Sequence, residues 1–233
     1  RFTLIHENFR FIKRFLRFHN IKSVDGILAD LGVSSHQFDV PERGFSTRFD
    51  AELDMRMSKK NDLNAYRVVN EYDSANLTRV LLDYGELKNA PAMTRVILEA
   101  REITPIKNTE QLKTVLSRFL PQHKSNKILA QIYQAIRIEV NQEMDVLKEF
   151  LEQSLDILKP NGRLSVISYH SLEDRLVKRF VKNGLFEGEP ERDFYGNFSV
   201  PFKLVGKLIV PSNEEIKINN RARSAKLRIA EKK

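Results

Sequence analysis

The stretch DGILADLGVSSHQ, residues 25–37, joins a short apolar run to a polar loop. Residues 25–31 are almost continuously apolar, which is typical of a strand buried on both faces of a parallel sheet. Asp30 stands near the end of this run, and Ser34, Ser35 and Gln37 follow it. Because ligands of open α/β sheets bind beyond the carboxyl ends of the strands, these side chains are candidates for a ligand site. A polar turn that merely ends the strand is the alternative interpretation.

The patterns on both sides of this stretch predict further elements of an α/β fold. Residues 2–5 predict an opening strand, and residues 10–17 predict an amphipathic helix with a basic stripe. Residues 128–158 predict one long helix, either straight or kinked. The Lys-Pro-Asn-Gly run at 159–162 predicts the end of this helix. A second buried strand is expected over 163–168, a helix from about Ser171, and an antiparallel pair of strands over 202–210 and 224–229.

Only short amphipathic helices are predicted between about residues 62 and 121. We therefore predict the α/β class: a doubly wound sheet that carries a helical insertion directly after the loop of Asp30. The predicted boundaries are 1–54 for the first part of the sheet domain, 55–125 for the insertion and 126–233 for the second part. An insertion at the ligand edge of a sheet is well placed to recognise a substrate.

Composition narrows the class of partner. The formal charge of +8 over 233 residues favours a polyanion, with RNA and DNA ahead of an anionic membrane surface, although a solvated basic surface is the alternative. The absence of cysteine excludes disulfides, thiolate metal sites and a cysteine nucleophile. No apolar run approaches the roughly 18–20 residues of a membrane span, and no cluster of metal ligands is evident. We expect a cytoplasmic protein without a metal.

Several blocks then resemble one known family, the bacterial methyltransferases that modify N4 of a cytidine in 16S ribosomal RNA. They stand in the order of that family and span nearly the whole chain: DLGVSSHQ at 30–37, ERGFS at 42–46, LDMRM at 53–57, QAIRIEVN at 134–141, ISYHSLEDR at 167–175 and NRARSAKLR at 220–228. The resemblance implies the class I S-adenosylmethionine-dependent methyltransferase fold, with a Rossmann-like sheet. It also implies methylation of a decoding-centre cytidine in the small ribosomal subunit, with the insertion helping to bind RNA.

By this resemblance, contact with S-adenosylmethionine is carried onto Phe9, Asp30 and Gln37. Phe9 would touch the adenine ring, and a core aromatic that starts a helix is the alternative. Asp30 has two roles open to it, an anchor for the cofactor or an acceptor for the proton of the amine, and Ser34 and Ser35 would supplement either role. Many amino-methyltransferases carry two prolines and an aromatic after such an Asp, and this chain carries Leu-Gly-Val instead.

The block at 167–175 places His170 at the end of the second buried strand, where it could act as a base or contact RNA. Its neighbours have a structural interpretation, because Ser171 and Asp174 have the spacing of a capping box. Glu173 would also favour the start of a helix electrostatically. We therefore interpret Ser171 and Asp174 mainly as caps and leave the role of His170 open.

Four more polar residues are candidates for RNA binding. Arg137 and Asn141 fall with Gln134 on a polar stripe of the long helix, which would face either RNA and the active site or solvent. Arg221 and Arg223 lie in a strand-like segment, where a period of two would direct both guanidinium groups at phosphates. Charged protection of a sheet edge is the alternative for this pair.

Three parts of a class I methyltransferase are not found in these 233 residues: its first strand, the glycine-rich cofactor turn and the acidic residue after the second strand. We therefore expect that two β-α units lie upstream, and that the residues given fold or bind cofactor poorly by themselves. The function predicted for the parent protein is methylation of 16S RNA. A non-catalytic RNA-binding or ribosome-assembly protein with the same fold is the alternative.

Overall fold

The structure is a computed structural model that describes residues 2–190, 194–195 and 199–233. Its α-helices are α1 (Ile12–Phe18), α2 (Ser35–Asp39), α3 (Ala65–Glu71), α4 (Ser74–Arg79), α5 (Ala90–Ile103), α6 (Thr109–Val115), α7 (Ser125–Asn141), α8 (Glu143–Ile157), α9 (Ser171–Asn183) and α10 (Asn213–Ile218). The strands are β1 (Val24–Asp30), β2 (Leu158–Ser168), β3 (Phe202–Leu204) and β4 (Lys226–Lys232). Short 3-10 helices lie at Phe9–Phe11, Pro41–Arg43, Ser117–Phe119 and Asn220–Ser224, and a π-helical turn lies at Val80–Tyr84.

The chain forms two compact units. The sheet unit contains the residues up to Gly32 and those from Met144 onward, and the helical unit is Val33–Glu143. This division differs from the predicted boundaries at 54/55 and 125/126. The reason is that α7, expected in the sheet domain, buries its apolar face in the core of the helical unit.

The sheet has the strand order β1-β2-β4-β3 in the described residues. β1 and β2 are parallel, whereas β4 is antiparallel to both β2 and β3. The predicted antiparallel terminal strands are thus confirmed, and the two apolar runs predicted as strands are parallel neighbours. The core of this unit comes mainly from β2, α8 and α9, through residues that include Leu147, Phe150, Leu164, Val166, Val177 and Phe180.

Two expectations about the start of the chain are wrong. Residues 2–5 form no strand, and β1 is not buried on both faces, because the side chain of Leu28 is 71% exposed. In the part of the chain that the structure describes, β1 pairs with β2 alone. The sequence of β1 has the apolar character of an inner strand, but the face that carries Gly26, Leu28 and Asp30 is exposed.

The predicted stop signal at 159–162 lies within β2 as a bulge. Val24 pairs with Leu158 and Gly26 already pairs with Arg163, so the four intervening residues of β2 face one residue of β1. Asn161 adopts a left-handed conformation with φ 64°. The chain therefore turns at the predicted place, but it returns to the same strand and continues.

The helical unit has its own core, to which α3, α4, α5, α6 and α7 contribute. α7 ends at Asn141, where Gln142 takes a left-handed conformation with φ 52°, and α8 begins at Glu143. The predicted long helix is therefore two helices, and the left-handed residue is the break between them. No helix in the described ranges is both long enough and apolar enough to cross a membrane.

The C-terminal arginines do not lie on a strand. Arg221 and Arg223 belong to the 3-10 helix Asn220–Ser224, in which the side chain of the N-cap Asn219 accepts from the N–H of Arg221. The prediction that a period of two directs both guanidinium groups to one side is therefore wrong. Both residues are exposed, and Ala222 between them is buried.

Candidate active site at the ends of β1 and β2

The end of β1 meets the end of β2 at the edge of the sheet where the predicted site lies. Asp30, the last residue of β1, is in register with Ile167, and the N–H of Leu31 donates to the carbonyl of Ile167 at 3.0 Å. Tyr169 follows β2 directly, and its hydroxyl donates to Oδ1 of Asp30 at 2.9 Å. The contact that the parallel register creates is therefore between Asp30 and Tyr169.

Tyr169 was not among the predicted site residues, although it lies in the block at 167–175. Its backbone N–H donates to Oε2 of Glu173 at 2.9 Å, and its ring approaches Gly32, where an added Cβ would lie 3.8 Å from Cδ2 of the ring. Burial raises the pKa of Tyr169 to about 12, and the hydrogen bond to Asp30 acts in the same direction. The phenol is therefore a hydrogen-bond donor at neutral pH, and Asp30 is its acceptor.

His170 serves as the N-cap of α9. Its Nδ1 accepts from the N–H of Glu173 at 3.5 Å, and the side chain of Glu173 accepts from the N–H of His170, which completes a capping box. Nε2 of His170 lies 3.2 Å from Oε1 of Glu173 but without hydrogen-bond geometry, so we regard this as a close polar contact only. The predicted box of Ser171 and Asp174 is therefore wrong by one residue, and His170 contacts its own helix.

Asp174 instead connects α9 to β4. Its carboxylate accepts from Nε of Arg228 at 2.7 Å and from Nζ of Lys226 at 3.1 Å, and its side chain is 10% exposed. Burial by itself would raise the pKa of Asp174, but the hydrogen bonds from Arg228 and Lys226 outweigh burial and hold it below the ordinary value. This ion pair fixes the helix that carries the capping box of His170 and Glu173.

Phe9 starts the 3-10 helix that precedes α1 and packs edge-on against Phe150, with ring centroids 5.2 Å apart. The residue nevertheless stays 43% exposed. It thus has features of both interpretations, a packed aromatic and a ring with a free surface. The predicted basic stripe is partly neutralised, because Arg10 pairs with Glu149 and Lys13 pairs with Asp156.

Ser34, Ser35 and Gln37 belong to the helical unit, whereas Asp30 belongs to the sheet unit. Oγ of Ser34 accepts from the N–H of Gln37 at 3.3 Å, and Oε1 of Gln37 accepts from the N–H of Ser34 at 2.9 Å. This reciprocal pair is the capping box of α2. The side-chain oxygens of both residues are therefore engaged in capping α2. The cofactor contact of Gln37 and the catalytic role of Ser34 stay predictions. Ser35 is the first residue of α2 and is exposed.

Asn141 does not face solvent, which was one of the two alternatives left open for the polar stripe, because it is 8% exposed. Its Oδ1 accepts from the N–H of Met57 at 2.7 Å, and its Nδ2 donates to the carbonyls of Met55 and Arg137 at 2.8 and 2.9 Å. Met55 is fully buried in a left-handed conformation with φ 55°. Asn141 therefore holds the LDMRM segment, and its geometry gives no support to an RNA contact.

Arg137 and Gln134 are also engaged within the helical unit. Arg137 donates to both carboxylate oxygens of Glu143, at 2.7 and 3.0 Å, and the two side chains are 13% and 8% exposed. Nε2 of Gln134 donates to the carbonyl of Tyr84 at 3.0 Å. A sequence stripe cannot show such contacts, because polar residues that face a neighbouring segment have the same spacing as those that face solvent.

The ERGFS and LDMRM blocks meet in the same unit. Nη2 of Arg43 donates to the carbonyls of Arg56 and Met57 at 2.6 and 3.2 Å, and the N–H of Met55 donates to the carbonyl of Arg43 at 3.1 Å. Arg56 pairs with Asp54 at 2.6 Å. These blocks and Asn141 thus build one hydrogen-bonded loop, which is a structural reason for their residue types.

Comparison with known proteins gives concordant matches along the whole chain. The ribosomal RNA small subunit methyltransferase H of Flavobacterium johnsoniae is 83% identical over 232 residues, which are 100% of this chain and 77% of that protein. The protein of the same name from Flavobacterium psychrophilum is 79% identical over 233 residues, 100% of this chain and 80% of that protein. The protein of the same name from Bacteroides thetaiotaomicron is 52% identical over 233 residues, which are 100% of this chain and 77% of that protein. The family described as the MraW methylase family matches residues 1–233, and the chain belongs to that family.

Proposed function

We propose that this protein transfers a methyl group from S-adenosylmethionine to N4 of a cytidine in the decoding centre of 16S ribosomal RNA. The observation that carries the proposal is the Asp30 carboxylate at the carboxyl end of β1, held by the hydroxyl of Tyr169. Membership of a methylase family gives the reaction class. The relatives' name, ribosomal RNA small subunit methyltransferase H, supports the substrate class, and the sequence blocks support the choice of cytidine N4.

The residues present in the sheet unit suit part of such a cofactor. S-adenosylmethionine offers an aromatic ring and polar N–H and O–H donors, and the unit offers the half-exposed ring of Phe9 and the exposed carboxylate of Asp30. We assign Phe9 to the adenine and Asp30 to the donors. Bound there, the cofactor supplies an electrophilic methyl group on a sulfonium. Gln37 stays a proposed third contact, and it would use atoms that its capping role leaves available.

Asp30 can assist the reaction in either of two ways. The exocyclic amine of cytosine is a weak nucleophile because its lone pair is delocalised into the ring, so a carboxylate that accepts its N–H would orient the nitrogen. Once the nitrogen has gained a methyl group and positive charge, it is acidic and loses a proton to a carboxylate or to water. Alternatively, Asp30 anchors the cofactor and water takes the proton. Neither route requires a strong base. His170, whose side chain caps α9, is therefore not needed as one.

Binding of RNA would rest on exposed cations. Arg221 and Arg223 are exposed at a short helix whose Ala222 is buried, which presents both residues on a fixed turn. Contacts to phosphates need charge and reach but no base-specific geometry, so a 3-10 helix suits them as well as a strand. The net charge of +8 points in the same direction. Arg137 is the weaker candidate, because it is paired with Glu143.

The test uses the full-length protein, small ribosomal subunits and S-adenosylmethionine with a labelled methyl group. We expect Asp30→Ala to abolish incorporation at cytidine N4 while RNA binding is largely retained. The matched control is Asp25→Ala, because Asp25 is an exposed carboxylate on the same strand that pairs with Lys159 at 2.7 Å. This control should methylate at the wild-type rate.

Two results would contradict the proposal. Unchanged turnover of Asp30→Ala would refute the role of Asp30. A wild-type protein that binds small subunits but neither binds S-adenosylhomocysteine nor incorporates methyl groups would leave the non-catalytic RNA-binding function. Mapping the methylated nucleotide separates cytidine N4 from every other position.

A further inference from the structure

We propose that Tyr169 is a positioning residue for Asp30, and that its hydroxyl fixes the orientation in which the carboxylate faces the ligand. This inference rests on the proposed function and deepens it. It starts from a contact between residues 139 positions apart, the hydrogen bond of 2.9 Å from the Tyr169 hydroxyl to Oδ1 of Asp30.

Asp30 needs such a partner because it is exposed. An exposed side chain at the end of a strand exchanges among rotamers, and restricting it to one has an entropic cost. A hydrogen bond donated to the carboxylate in the ligand-free protein already restricts its rotamers, so less entropy is lost when the ligand binds or reacts. In the described part of the chain, Tyr169 is the side chain that makes this bond to the carboxylate.

Tyr169 can perform this task because its main chain is fixed by the start of α9. Its backbone N–H is bound by Glu173, which is 2% exposed and belongs to the capping box of α9. Its ring approaches Gly32, where an added Cβ would lie at an ordinary van der Waals distance, 3.8 Å from Cδ2 of the ring. The start of α9 thus orients the ring, and the ring brings the hydroxyl to Asp30.

The direction of the bond is also determined. Because Tyr169 keeps its proton at neutral pH, the phenol donates and the carboxylate accepts. Oδ1 is then engaged, and Oδ2 is the oxygen offered to a ligand donor. One defined acceptor suits both roles open to Asp30, because an anchor for the cofactor and an acceptor for the amine each need a fixed oxygen position.

The first experiment compares Tyr169→Phe with wild type in the full-length protein, measuring kcat/KM for methylation of small subunits. Tyr169→Phe keeps the ring and removes only the hydroxyl. We expect kcat/KM to fall about tenfold, as for the loss of one hydrogen bond to a charged group, with an unchanged melting temperature. The matched control is Tyr72→Phe, because the hydroxyl of Tyr72 donates to a carboxylate of the helical unit, Oε1 of Glu139, at 2.8 Å. Its kcat/KM should stay within twofold of wild type.

The second experiment is a double-mutant cycle with Asp30→Ala, which removes both acceptor oxygens, and it measures the residual rate in single turnovers with excess enzyme. If Tyr169 acts through Asp30, adding Tyr169→Phe to Asp30→Ala changes that residual rate less than about twofold. A further tenfold loss in that background would mean that Tyr169 acts independently, and it would overturn the inference. Wild-type kcat/KM in Tyr169→Phe alone would also overturn it.

The outcomes for the two proposals are distinguishable. A wild-type protein that fails to methylate contradicts the proposed function itself. A wild-type protein that methylates while Tyr169→Phe methylates equally well contradicts only the role of Tyr169.

Discussion

Replacing Asn141 by alanine should destabilise the helical unit, although the sequence pattern suggests an RNA contact for this residue. The side chain is 8% exposed and makes three hydrogen bonds, to the N–H of Met57 and to the carbonyls of Met55 and Arg137. Asn141→Ala removes all three and leaves the main-chain groups of the LDMRM segment without these partners.

The expected loss of stability in Asn141→Ala follows from the three hydrogen bonds that the substitution removes. A hydrogen bond contributes about 0.5–1.5 kcal/mol net, and a buried group left unsatisfied costs about 1–3 kcal/mol. Water can reach Met57, which is partly exposed, but not Met55, which is fully buried. We therefore expect the free energy of unfolding to fall by about 2–4 kcal/mol, which corresponds to a melting temperature lower by about 5–15 °C for a chain of this size.

The assay is thermal unfolding followed by far-ultraviolet circular dichroism, together with equilibrium binding of small-subunit RNA. Asn76→Ala is the control, because Asn76 is an exposed residue of α4 whose side-chain amide donates to Asp73 on the surface. It should change the free energy of unfolding by less than about 0.5 kcal/mol. If Asn141→Ala instead melts within 2 °C or so of wild type and loses RNA affinity, the structural role argued from burial is refuted.

Two further predictions concern acid stability and a glycine of the ERGFS block. The folded-state pKa of Asp174 lies below its ordinary value of 3.8, so its ion pair stabilises the fold above that pH and stops doing so as the pH falls through the folded pKa. Asp174→Ala should therefore lower the free energy of unfolding at pH 7 by about 2–4 kcal/mol. Urea titrations at several pH values should also show that this free energy falls less steeply with acid in the variant than in wild type. The same decrease with acid in both proteins would contradict the prediction. Gly44 and Gly206 both have a φ of 70°, but an added Cβ at Gly44 would lie 2.5 Å from the carbonyl oxygen of Glu52, whereas nothing lies within 4 Å at Gly206. Gly44→Ala should therefore destabilise by about 1–3 kcal/mol more than Gly206→Ala, and equal melting temperatures would show that the loop shifts freely.

Much of the sheet could be predicted from the sequence. The apolar runs at 25–31 and 163–168 predicted β1 and the inner part of β2, and the antiparallel terminal strands were predicted from their composition. The errors lie where local patterns are degenerate. A serine followed three residues later by an acid has the spacing of a capping box at Ser171, yet His170 fills that position with Glu173. Likewise, the alternating arginines at 221 and 223 fit a strand equally well, but in the structure the side chain of Asn219 caps a 3-10 helix that contains them.

The family could be predicted from the sequence by itself, because ordered blocks of residues identify it wherever their side chains point. The sequence also determined the chemical groups that are available: a carboxylate at a strand end, hydroxyls, amides and an excess of cations. Only the tertiary structure decided which of these groups are engaged within the fold, as with Asn141 in the LDMRM loop and His170 at α9. It also gave Asp30 its partner, Tyr169. The physical reason is that a hydrogen bond spanning 139 positions depends on the register of two parallel strands, which local sequence periodicity does not specify.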